Sequence, residues 1–140
     1  MKVSRLKVSI YLALVLLPTW SGCSGGDGLD RVGMSGHVTF RGEPVAEGEI
    51  RWDPQPGTRS PVVIEAITDG RYATAKSGGV PPGSFRVELR AYDSSTPERK
   101  YPGDPPRKQL LPARYNTQSK LEQQVKSGQP PIERDFELAP

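Results

Sequence analysis

Cysteine and histidine are almost missing from this 140-residue chain: Cys23 and His37 are each the only residue of their kind. A single cysteine excludes an internal disulfide. Zinc centres draw on several Cys and His side chains, so no metal and no cofactor is expected. A thiol nucleophile needs a base beside it, and the glycine-flanked stretch Ser21–Gly26 supplies none. Acids are missing from residues 1–22, where Lys2, Arg5 and Lys7 lie, leaving 16 Lys and Arg against 16 Asp and Glu from Cys23 onward. The net charge of +3 therefore belongs to the leader. The neutral remainder lacks the basic footprint of a nucleic-acid binder. A phosphate loop and a Gly-x-Ser-x-Gly elbow are also missing.

No apolar run is long. The longest, Val8–Leu17 (VSIYLALVLL), is apolar at nine of ten positions, against the roughly 20 residues a membrane-spanning helix requires. Preceded by three cations and followed by Pro18 and small residues, it has the layout of an export signal. Ser21, Gly22 and Cys23 then resemble the bacterial lipoprotein box, although Trp20 stands where that pattern has an aliphatic residue. The resemblance implies cleavage before Cys23, its acylation as the mature N-terminus, and attachment to a membrane. Two or more acyl chains make such attachment stable. Ser24 after the cysteine implies outer-membrane delivery. Residues 1–22 are thus expected to be a signal peptide, and 23–33 an acylated cysteine with a flexible link. Ser24–Gly33 (SGGDGLDRVG) would span on the order of 17 Å.

Glycine and proline are abundant, at 15 each, which predicts many turns and short strands. Apolar and polar residues alternate in SGHVTF (35–40), in EIRW (49–52) and along 62–67, the pattern of half-buried strands. Asp69-Gly70 is a two-residue hairpin turn signal, with 72–75 pairing back. SFRVELRAY (84–92) is the clearest strand, with Phe85, Val87, Leu89 and Ala91 facing one way and Arg86, Glu88 and Arg90 the other. Residues 121–125 and 132–138 add two more. Seven or so short antiparallel strands over 34–140 predict an all-β sandwich.

The segment 93–111 (DSSTPERKYPGDPPRKQLL) breaks the pattern. Connections of this length are uncommon and often functional. As a partner-binding loop it offers Arg99, Lys100, Tyr101, Arg107 and Lys108. As a plain excursion it is a proline-stiffened crossing between strands, and plain disorder is the third reading.

The ordered series SGHVTFRGEPVAEGEIRWDP, ITDGRYATAKSGGVPPGSFRVELRAY, LPARYNTQSKLEQQVKSGQ and DFEL resembles small bacterial lipoproteins with a transthyretin-like, carboxypeptidase-regulatory-like domain, over about residues 34–138. The resemblance implies a prealbumin-like β-sandwich of about seven strands. Such modules serve as spacers, adhesion units or non-catalytic accessories. It also suggests turn or bulge roles for Gly42, Gly48, Gly70 and Gly83, core roles for Trp52 and Phe85, and a corner at Tyr115-Asn116. Hydrolases of this fold use several histidines; this chain has one. The expectation is a non-enzymatic, lipid-anchored module of the cell envelope that contacts an envelope protein or a glycan and no nucleic acid. Two alternatives stand beside it. One is an enzyme or accessory subunit acting on a small periplasmic substrate, with His37, Glu49 and Arg90 in a cleft. The other is a secreted binder of a small ligand.

Overall fold

A computed structural model describes residues 28–74 and 78–140. The signal segment, Trp20 and Cys23 lie outside the described residues. The described chain is almost entirely β, with strands β1 (Met34–Phe40), β2 (Glu43–Pro44), β3 (Glu47–Pro54), β4 (Val63–Thr68), β5 (Arg71–Ala73), β6 (Gly83–Ala91), β7 (Leu121–Val125), β8 (Ile132–Glu133) and β9 (Phe136–Leu138). One 3-10 turn, Ala113–Tyr115, precedes β7. No helix among the described residues is long and apolar enough to cross a membrane.

The strands follow one curled path in the order β2-β1-β5-β4-β3-β6-β7, and β8 and β9 also pair with β1. Both two-residue turns have the positive φ angles that right-twisted hairpins require: Asp69 and Gly70 at 49° and 73°, Arg41 and Gly42 at 56° and 81°. The expected last strand over 132–138 is broken at Arg134-Asp135. Its two pieces run parallel to β1, not antiparallel. β1 exchanges partners along its length. Its first half lies between β5 and β8, and its second half between β2 and β9.

Alternation puts one face of each strand inside the curl. Trp52, Ile50, Phe85, Val87, Leu89 and Val38 are fully buried. Burying each such side chain is worth about 1.5–3 kcal/mol. Trp52, Tyr72 and Phe136 run in series across the interior, with ring centroids 5.9 and 6.2 Å apart. The Trp52 indole N–H is buried with no hydrogen-bond partner. Arg134 reaches from the β8–β9 break to β7, donating to the Glu122 carbonyl and Gln123 Oε1 at 2.7 Å each. That side chain ties the segment paired with β1 to β7, the far end of the strand path. The expected corner is present. Asn116 is buried and donates to the Pro112 carbonyl at 3.2 Å, and the Tyr115 hydroxyl accepts from the Ala139 N–H at 2.9 Å.

Packing begins before the expected domain boundary at residue 34. Val32 is buried and bridges Val80. Asp30 accepts hydrogen bonds from Ser127 Oγ and the Gly128 N–H, both at 2.6 Å. These bonds hold its carboxyl below the usual aspartate range. Asp30 and Val32, within the 23–33 segment expected to be a flexible link, thus already pack against the domain.

Candidate binding surface

β6 sets the axis of the molecule. Gly83, at its start, lies beside Thr58 and borders the groove shared with Asp30 and Ser127. Ala91, at its end, leads into the long loop. The nine extended residues of β6 separate these poles by about 26–27 Å.

The loop has a closed neck. Tyr92 bridges Gln109, the Asp93 N–H donates to the Lys108 carbonyl at 3.1 Å, and Gln109 Oε1 accepts from the Ala91 N–H at 2.9 Å. Inside the neck, Asp93 Oδ1 accepts from the Ser95 N–H at 2.9 Å and from Ser95 Oγ at 2.6 Å. These bonds lower the Asp93 pKa. At the tip, Asp104 Oδ2 accepts from the N–H groups of Lys100 and Tyr101, both at 2.9 Å. Short side-chain bonds of this kind fold the segment on itself as an Ω-loop.

Arg107 fastens the loop to the sheet. Its guanidinium makes a two-pronged bond to the Glu47 carboxylate, at 2.5 and 2.8 Å, and stacks over the Tyr92 ring at 4.7 Å. The hydrogen bond from Arg107 pulls the Glu47 carboxyl down, and Glu47 in turn raises the Arg107 pKa. Lys108 lies 3.5 Å from Asp93. Of the five residues the sequence offers for partner contact, Arg107 is thus turned inward as a clamp and Lys108 sits at the neck. Arg99, Lys100 and Tyr101 stand exposed at the tip, Tyr101 at 72%.

Two hollows flank this pole. One, of about 380 Å³, is lined by Pro97, Tyr101, Pro105 and Pro106 with Asp104 and Lys100. The other, of about 250 Å³, separates Phe40, Pro44 and Val45 from Tyr92 and Leu110. Both offer apolar walls with a few charged groups at the rim.

The residues of the enzymatic alternative do not converge. Glu49 and Arg90 pair with each other at 2.9 Å on the outer face of β3 and β6. His37 is on β1, with β5 and β4 between it and β3, a separation of about 14 Å at ordinary strand spacing. Arg90 also holds Glu88 at 3.1 Å, and Arg86 holds Glu88 at 2.6 Å. That alternating lattice accounts for the charges outside β3 and β6 as mutually paired, with Glu88 buried between Arg86 and Arg90.

No family model, no curated protein and no solved structure matches this chain.

Proposed function

We propose that this chain is a lipid-anchored protein of the cell envelope whose β domain, a transthyretin-like sandwich in our reading, is a non-catalytic binding or spacer module. Cys23 carries the lipid. The link that follows joins the domain at the Asp30 pole, and the 93–110 loop lies at the other end of β6. That polarity is the observation that carries the reading. A loop stiffened by prolines and clamped through Arg107 presents Arg99, Lys100 and Tyr101 on the side away from the anchor. An exposed aromatic flanked by cations suits contact with an envelope protein or a glycan.

The mass of the N-terminal peptide from cells making the wild type and Cys23→Ser tests the anchor. A lipid-sized increment on Cys23, lost in the variant together with membrane attachment, is expected. A photo-crosslinking residue at position 101 in intact cells tests the module. It is expected to capture a defined envelope partner, whereas the same group at position 128 is not. An unmodified Cys23 refutes the anchor, and equal capture from both poles refutes the presenting role of the loop.

A further inference from the structure

The parallel pairing of β1 with β8 and β9 brings together three side chains that are far apart in sequence. His37 is adjacent to Asp135, and Glu133 lies two residues before Asp135 on the same outward face. One ligating atom from each of the three lies within 4.8 Å of the other two. His37 Nδ1 and Asp135 Oδ1 are 3.2 Å apart. Two ligands of a tetrahedral zinc at 2.0–2.2 Å stand about 3.3–3.6 Å from each other, so this pair already has nearly the spacing of a coordination edge. Glu133 is exposed, and turning its side chain by about 1.5 Å completes a three-ligand set.

The backbone under the cluster is fixed. The Arg134 N–H donates to the Ser35 carbonyl at 2.8 Å, and its carbonyl accepts from the Tyr72 hydroxyl at 2.7 Å. The His37 N–H donates to Asp135 Oδ1 at 2.7 Å, which sets the orientation of that carboxylate. Outer bonds of this kind hold ligands in place. They account for Asp135 without a metal, but not for Glu133. Among the described residues, no lysine or arginine forms an ion pair with Glu133 or Asp135, although Arg71 lines the same groove. A cation between the two carboxylates would offset their repulsion.

We propose that His37, Glu133 and Asp135 form a surface site for a divalent transition-metal ion, with its remaining positions open to the adjoining groove of about 440 Å³ lined by Ser35, Thr68, Arg71 and Tyr72. One imidazole and two carboxylates with open positions suit zinc and its first-row neighbours. The site lies away from the loop pole and does not depend on the anchor.

Zinc chloride titrated into the full chain is the test. The protein carries Cys23→Ser, to remove the thiol as a competing ligand, and no histidine tag. Because His37 is the sole histidine, its imidazole resonances report binding without ambiguity. One equivalent of zinc is expected to shift them in a saturable way. His37→Gln and Glu133→Gln are each expected to weaken affinity at least tenfold. Glu133→Gln is the informative variant, because its side chain is exposed and supports no strand pairing. Imidazole signals that do not move in excess zinc overturn the site. So does an affinity unchanged within threefold in Glu133→Gln.

Discussion

Replacing Gly36 by alanine would place a methyl carbon 2.0 Å from the Arg134 carbonyl oxygen and 2.6 Å from its carbon. Non-bonded carbons prefer about 3.5–4.0 Å, and the obstacle is backbone, so β1 and the β8–β9 segment must separate by more than about 1 Å. The bonds from the Ile132 N–H to Gly33 and from the Arg134 N–H to Ser35, now 2.9 and 2.8 Å, would pass out of effective range. Each is worth about 1 kcal/mol. Phe136 and Leu138, which follow directly, would lose part of their packing, so the sum is about 3–5 kcal/mol. That is a large share of the 5–15 kcal/mol typical of a domain. With a urea slope of about 1–3 kcal/mol/M, the unfolding midpoint should fall by roughly 2 M. Gly42→Ala is the control. Its φ is 81° and nothing lies within 4 Å of the added carbon, so only the left-handed conformation is penalised, at about 1–2 kcal/mol. A Gly36→Ala protein no less stable than Gly42→Ala refutes the close approach of β1 to Arg134.

Two further outcomes follow from the interior and the loop. Trp52→Phe should cost less than about 1.5 kcal/mol in thermal or urea unfolding, since it removes a buried N–H with no partner as well as some packing, whereas Trp52→Ala should cost about 3–5 kcal/mol. The Glu47–Arg107 clamp should depend on acid. Glu47 titrates below its ordinary value of 4.5 because of its bond to Arg107, so its contribution is complete above that value and is lost as pH falls through the lowered one. Amide exchange in residues 94–107 should accelerate as the pH is taken well below 4.5, relative to the intrinsic rate at each pH, while the core amides stay protected. Glu47→Gln should show the fast exchange at neutral pH.

The strands were legible because alternation is a local signal. His37–Phe40, Glu49–Trp52 and Ser84–Ala91 each carry it, and Asp69-Gly70 marks its own turn. The Arg41-Gly42 hairpin was less visible, since arginine is a poor advertisement for positive φ. The orientation of the last strands was not legible. Nothing near Ile132–Leu138 states that its partner is β1, about 98 residues away, or that the pairing is parallel. For the same reason His37 read as an isolated histidine, and the two carboxylates beside it could not be assigned to it. In the loop, the sequence supplied five plausible contacts but not their division. A guanidinium that clamps Glu47 and one that faces solvent have the same composition around them. Glu88 shows a related limit: its outward position follows from alternation, but its burial between Arg86 and Arg90 depends on side-chain reach.

The exchange of partners along β1 ties the beginning of the domain to its end. Met34–Phe40 has no neighbour on one side until Ile132–Leu138 arrives, about 98 residues later in the chain. A chain emerging N-terminus first from a ribosome or a translocation pore would hold β4, β3 and β6 as a local sheet, while β1 kept an open edge. Closing a loop of nearly a hundred residues is slow relative to local pairing. Completion of the fold would therefore wait until Ile132–Leu138 had emerged. Deletion of Phe136–Leu138 would leave a sheet with a sticky margin in place of a finished domain.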